Sequence, residues 1–153
     1  QTAIKFDSKL LVEEAIVGKE VEVAVLDGTP PYAATPGEIV PGAEFYDYMD
    51  KYQNGKSQTL IPARVSARSI ERLRERAVYI FSQLGCRGLA RVDFFVSGTE
   101  EAEEIIFNEI NTLPGFTSIS MYPKMLMHDG HSYAGLIDTL LEQAITQNER
   151  EQG

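Results

Sequence analysis

The chain has one cysteine, Cys86, among its 153 residues, which excludes an internal disulfide and fits a reducing compartment. Positive charge is also scarce. Fourteen Lys and Arg stand against 23 Asp and Glu, a formal net charge of -9, which argues against general affinity for nucleic acid or an anionic membrane. A phosphate-binding site on such a chain must therefore use local cations and metal. No apolar run approaches a membrane span, and Gln1 to Phe6 hold no apolar signal-peptide core, so the expected location is the cytoplasm. His128 and His131 flank a turn and are not spaced with other ligands in a zinc pattern. There is no internal repeat and no low-complexity tract. The sequence lacks an initiating Met and opens almost directly on strand-like residues, as expected of a piece of a longer protein. At 43% hydrophobic residues it can build one domain with a core.

Lys9 to Glu14 reads as a short strand, and Glu20 to Leu26 alternates as a half-buried one, with Gly18-Lys19 as the turn between them. Residues 27–66 are punctuated by Pro30, Pro31, Pro36, Pro41 and Pro62 and read as a long irregular connection with one short strand at Glu38-Ile39-Val40. Phe45-Tyr46-Asp47-Tyr48 and Lys51-Tyr52 give that loop an aromatic content that disordered segments lack, which favours a functional loop. Ser66 is a suitable N-cap for a helix over Ala67 to Leu84, with Ile70, Leu73, Ala77, Ile80, Phe81 and Leu84 on one stripe and Gly85 ending it. A short helix is expected near Pro123, a turn at Asp129-Gly130, and a last amphipathic helix capped by Ser132. The polar tail 146–153 is expected to fray. These elements predict the α+β class, a mainly antiparallel sheet flanked by helices.

Two strand-like segments, Gly88 to Val96 and Ile105 to Asn111, carry the chemistry. The connection Ser97 to Glu104 is short, acidic and Gly-bearing, which suits a hairpin. Alternation puts Arg91, Asp93 and Phe95 on one side of the first, and Ile105, Phe107, Glu109 and Asn111 on one side of the second. A hairpin symmetric about Glu101 sets Asp93 opposite Glu109 and Arg91 opposite Asn111. Opposed carboxylates repel and need a compensating charge. A hard divalent cation is a natural candidate, because Mg2+ takes carboxylate and amide oxygens and completes its shell with water and phosphate.

At these residues the chain resembles the C-terminal part of the D-alanine:D-alanine ligases, cell-wall enzymes of the ATP-grasp superfamily. The resemblance rests on Val12-Glu13-Glu14-Ala15-Ile16 with Gly18 and Glu20, on Phe45 to Tyr48 with Lys51-Tyr52, on Gly88 to Asp93, and on Asn108 to Thr117 with Ser120. It implies a C-terminal ATP-grasp domain of a peptidoglycan-synthesis ligase that activates one D-alanine with ATP and joins it to a second through an acyl phosphate. By the same resemblance Asp93, Glu109 and Asn111 hold two Mg2+ ions, with Mn2+ the other candidate. Arg91 and the backbone N–H of Gly115 stabilise transferred and oxyanion charge, and Ser120 with Met121 receives the second D-alanine. Glu13, Ile16 and Glu20 take adenine and ribose, and Lys51 and Tyr52 belong to a mobile loop closing over the γ-phosphate. Tyr52 in its context resembles the dipeptide-forming type, which favours an amide over an ester product. The partners implied are D-alanine, ATP, the remainder of a ligase chain and a homodimer.

The family's N-terminal D-alanine-binding domain, and the lid subdomain whose lysines cover ATP, have no counterpart in these residues, so the isolated chain is expected to be inactive. Each site residue has an ordinary alternative as well. Asp93 and Glu109 could be a solvated hairpin face with Arg91 as their salt bridge, Glu13, Glu20, Lys51 and Tyr52 surface residues, Gly115 a turn residue and Cys86 a small apolar one. Two functional alternatives stay open, a ligase with another acceptor such as D-lactate, and a non-catalytic fragment.

Overall fold

Helix α1 starts where its cap is built. In the computed structural model, which describes residues 3–41 and 58–152, α1 spans Ala67–Gln83, and Ser66 Oγ accepts the Ser69 N–H at 3.2 Å. Glu103, from the hairpin connection, accepts both the Ser66 N–H and its hydroxyl, tying the helix start to the hairpin tip. Leu73, Ala77 and Phe81 are buried beneath the helix, Ile70 and Ile80 half-buried, and Leu84 exposed past its end. Gly85 follows at φ 65°, a conformation that suits the residue after a helix and costs glycine nothing.

The strands are β1 (Lys19–Leu26), β2 (Tyr32–Ala33), β3 (Gly37–Val40), β4 (Gln58–Leu60), β5 (Leu89–Ser97) and β6 (Glu104–Asn111). They pair antiparallel throughout, in the order β4-β3-β1-β5-β6, with β2 alongside β1. Helices α2 (Met121–His128) and α3 (Tyr133–Gln152) cover one face and α1 the other. The α1 face holds Val21, Val23, Val25, Ala90, Val92, Phe94, Val96 and Ile105. The opposite face packs Ala24, Leu26 and Ile39 against Tyr122, Met125, Leu126 and Leu136. Among the described residues no helix is long and apolar enough to cross a membrane.

Four sequence expectations change. Strand β1 is buried on both faces over Val21 to Leu26, because it lies inside the sheet. Lys9 to Glu14 forms no strand; nothing among the described residues pairs with it, and Leu11 and Val12 are 81% and 94% exposed. Among its described residues the connection 27–66 contributes three short strands rather than one, each too brief to show a period between its prolines. The last helix runs past Ile145, continuing through the polar tail to Gln152. Ser132 caps α3 as expected, its Oγ accepting the Gly135 N–H at 3.0 Å. Cys86 sits half-buried against the α1-side core, the small apolar role read from sequence.

A buried acid fixes β3. Glu38, 3% exposed, accepts from Arg64 Nε at 3.0 Å, Nη2 at 2.7 Å and the Arg64 backbone N–H at 3.0 Å. Burial raises the carboxyl's pKa, but the Arg64 hydrogen bonds and charge outweigh it and hold Glu38 below its ordinary 4.5. A depressed pKa contributes stability that is complete above 4.5 and lost as pH falls through the lower folded value. Glu38→Gln is therefore expected to cost about 1–3 kcal/mol at pH 7. The deficit should shrink in urea melts below pH 4.5; an equal deficit at pH 3 and pH 7 would contradict this role.

Candidate functional site

The polar half of the α2/α3 face is built by register. Glu22 on β1, Asp93 on β5 and Glu109 on β6 lie in one row across three strands. In the next row on that face, Ala24, Arg91 and Asn111 are neighbours. The hairpin expectation holds at the site, with Asp93 opposite Glu109 and Arg91 opposite Asn111. Nearer the turn the register slips by one between Asp93 and Phe94, leaving Asn108 as the extra residue of a bulge. Ile105 and Phe107 therefore share a face with Val96 and Phe94, opposite to Glu109 and Asn111, and not the common side read from strict alternation. Phe107 meets Phe94 edge-on, with ring centroids 6.1 Å apart. The bulge lets one strand put apolar residues under α1 and oxygen ligands on the other face.

Arg91 is the cation of this row. Its Nε donates to Asp93 Oδ1 at 2.8 Å and its Nη2 to Oδ2 at 2.7 Å, a two-point fork, while Glu22 Oε2 stands 3.4 Å from the same Nε. Burial lowers the guanidinium's pKa, but the Asp93 hydrogen bonds and the Glu22, Asp93 and Glu109 charges outweigh it and raise it above the ordinary Arg value. The ordinary reading of Arg91 as a salt bridge is thus realised. Three carboxylates, those of Glu22, Asp93 and Glu109, act on this one guanidinium. Like charges about 4 Å apart near a protein surface repel by about 4 kcal/mol. Glu22 and Asp93 are 1% and 3% exposed, whereas Glu109 faces solvent. A divalent cation entering from the Glu109 side would meet carboxylate and amide oxygens, donors that suit Mg2+ or Mn2+. Among the described residues no three His, Cys, Asp or Glu converge as a ready-made metal cluster, so the fit rests on two carboxylates and the Asn111 amide.

The loop after β6 is folded by its own side chains. Asn111 Oδ1 accepts the Leu113 N–H at 3.0 Å, which orients the amide. Ser120 Oγ accepts the Thr117 N–H at 3.0 Å and lies 2.8 Å from the Thr117 hydroxyl. A Cβ on Gly115 would stand 2.9 Å from Ser120 Oγ, so a side chain there would push the Ser120 hydroxyl aside. Phe116 anchors the loop, its ring 5.2 Å from Tyr133 and 5.7 Å from Tyr122, with the Tyr133 hydroxyl donating to its carbonyl at 2.7 Å. Met121 is 6% exposed and its side chain belongs to the core. What it offers a ligand is its backbone N–H in the first turn of α2, where such groups lack partners within the helix.

The remaining expected site residues lie apart. Glu13 is exposed in the irregular segment before β1, Ile16 is half-buried there, and Glu20 is half-buried on β1, two residues before Glu22 and on the same face. Lys51 and Tyr52 lie outside the described residues. Glu22, Phe116 and Tyr133 were not read from the sequence as site residues. For Glu22 the available signal was its two-residue offset from Glu20. A hollow of about 970 Å3 between Asp27 to Thr29, Arg87 to Leu89 and the middle of α3, Thr139 to Gln147, contains none of these residues.

The sequence profile of the family described as D-ala D-ala ligase C-terminus matches residues 1–142. The chain is 51% identical over 150 residues to the D-alanine--D-alanine ligase of Clostridium novyi (strain NT), covering 98% of this chain and 43% of that protein. It is 54% identical over 145 residues to the D-alanine--D-alanine ligase B of Clostridium tetani, covering 95% of this chain and 40% of that one. The D-alanine-D-alanine ligase structure from Coxiella burnetii superposes with a TM-score of 0.81 at 38% identity, over 97% of this chain and 38% of that one. The VanG D-Ala:D-Ser ligase structure from Enterococcus faecalis gives 0.71 at 41% identity, over 85% and 37%. The chain thus spans roughly two fifths of the length of its curated relatives.

Proposed function

The chain belongs to the D-alanine:D-alanine ligase C-terminal family, and from that premise we propose that it forms the metal, phosphate and second-substrate part of an ATP-dependent ligase. The ligase joins two D-alanines through an acyl phosphate for peptidoglycan synthesis. The observation that carries this reading is the oxygen row Asp93–Glu109 with Arg91 and Asn111 in the adjacent row. Asp93, Glu109 and Asn111 would hold Mg2+, which supplies charge neutralisation and alignment of the ATP phosphates.

The chain's own groups then have distinct tasks. A carboxylate oxygen of the first D-alanine attacks the γ-phosphorus, the bond to ADP breaks, and Arg91 stabilises charge on the transferred phosphoryl. The neutral amine of the second D-alanine adds to the acyl carbon, and Arg91 with the Gly115 N–H stabilises the oxyanion. Phosphate leaves, the amine gives up its proton, and an amide remains. Ser120 and the first N–H groups of α2 orient the second substrate's carboxylate, since a helix start favours an anion. Glu13, Ile16 and Glu20 receive adenine and ribose, and Lys51 and Tyr52 close over the γ-phosphate and exclude water. The isolated 153-residue chain, roughly two fifths of the length of its relatives, is proposed to lack turnover of its own.

The likeness to a D-Ala:D-Ser ligase at 41% identity supports a second reading, in which the acceptor differs. Phosphate release by the full-length ligase chain, assayed with ATP and D-alanine while D-serine or D-lactate is added as acceptor, separates the two. D-Alanine as acceptor should give the highest kcat/KM, by at least about tenfold, the low end of what one small group in a pocket discriminates. A higher value with D-serine or D-lactate would replace the leading reading with the second.

A further inference from the structure

We propose that Thr117 sets the direction of the Ser120 hydroxyl, so that Ser120 donates its proton to the carboxylate of the second substrate. The inference deepens the reading of Ser120 as a second-substrate residue and rests on it. It starts from a serine that occupies an N-cap position without capping. Ser120 has N-cap backbone angles, φ -71° and ψ 138°, yet its side chain makes no bond to the first turn of α2. An N-cap serine ordinarily accepts from the second or third N–H of its helix. The third residue here is Pro123, which has no N–H to give.

Thr117 takes the side chain instead. Its N–H donates to Ser120 Oγ at 3.0 Å, its hydroxyl lies 2.8 Å from the same atom, and its carbonyl accepts the Ser120 N–H at 3.0 Å. The peptide that presents the Thr117 N–H is fixed from its other side, where the Tyr133 hydroxyl donates to the Phe116 carbonyl at 2.7 Å. A serine hydroxyl has one proton and two acceptor sites, and the Thr117 N–H occupies one of those sites. A carboxylate only accepts, so Ser120 spends its proton there. The role left to the Thr117 hydroxyl is to donate to the second acceptor site. Every donor and acceptor of Ser120 is then used once, in a chain running from Thr117 through Ser120 to the substrate, and each bond polarises the next. Held this way, Ser120 Oγ does not compete for the first N–H groups of α2, which serve the same carboxylate. Thr117 is thus a positioning residue that acts on the substrate through Ser120.

The test is phosphate release by the full-length ligase chain at saturating ATP over a D-alanine series, resolved into its first and second binding events. The proteins compared are wild type, Thr117→Val, Thr117→Ser, Ser120→Ala and the double variant Thr117→Val/Ser120→Ala. Thr117 is exposed and a backbone bond closes its turn, so Thr117→Val keeps the fold. It is expected to raise KM for the second D-alanine about three- to tenfold, the range of one hydrogen bond, with kcat and KM for ATP within about twofold. Thr117→Ser keeps the hydroxyl and should hold that KM within about twofold of wild type. With Ser120→Ala in place, Thr117→Val should add less than about twofold, because its effect passes through the missing hydroxyl. An unchanged KM in Thr117→Val, an equal rise in Thr117→Ser, a fall in kcat as large as the rise in KM, or the same rise with and without the Ser120 hydroxyl would each overturn the proposal. A second-site KM unaffected by Ser120→Ala would instead refute the underlying reading of Ser120.

Discussion

Asp93→Asn in the full-length ligase chain is expected to lower kcat for phosphate release by at least about a thousandfold, with the fold retained, since removing one preorganised electrostatic group costs about 10²–10³ and this residue serves two. Asp93 is the inner member of the oxygen row, 3% exposed, and it fixes the Arg91 fork at two points. Asparagine keeps the shape and one acceptor but loses the charge that a hard cation requires. Because the residue sits mid-strand between β1 and β6, the ladder hydrogen bonds do not depend on its side chain. A far-UV spectrum close to wild type alongside lost turnover is the expected pair of results. Activity within tenfold of wild type would sink the assignment.

Arg91→Lys has the second largest expected effect, a fall in kcat of about 10²–10³ with a smaller change in KM for ATP. Lysine keeps one positive charge among Glu22, Asp93 and Glu109, so the row stays compensated to the same extent. It cannot reproduce the fork that meets both Asp93 oxygens, nor serve two acceptors on one planar group. The loss should therefore appear in the chemical step, where charge develops, more than in ground-state binding. Steady-state phosphate release over a range of ATP concentrations checks this. A raised KM with kcat unchanged would make Arg91 a binding residue only.

The parts of the site legible in the sequence are those joined by short connections. Asp93 and Glu109 are brought together by a short link, Gly98 to Glu103, so the hairpin register at Arg91 and Asp93 could be read by counting. The bulge at Asn108 could not, since alternation carries no mark of an inserted residue, and it turned Ile105 and Phe107 to the other face. Glu22 meets Asp93 only through the β1–β5 pairing, across some seventy residues of sequence and with β2, β3, β4 and α1 between. A pattern-based reading sees Glu22 as one polar residue of a half-buried strand, whereas the fold buries it beside a guanidinium. Lys9 to Glu14 failed as a strand for the complementary reason: local propensity was present but no ladder partner was among the described residues. The glycine and serine of the loop after β6 were legible as residues of interest, but their mutual contact and the Phe116 anchor depend on helices that follow.

The most direct measurement is Mn2+ binding to the full-length ligase chain in the presence of ATP, followed by electron paramagnetic resonance for the wild type, Asp93→Asn and Glu109→Gln. If these two carboxylates and Asn111 form the metal cradle, the wild type shows saturable, ATP-dependent binding and each substitution weakens it by at least about tenfold, as loss of a group that fixes a metal site does. Equal affinity in all three proteins would show that the cation is held elsewhere and that the Asp93–Glu109 row is an ordinary salt-bridged face.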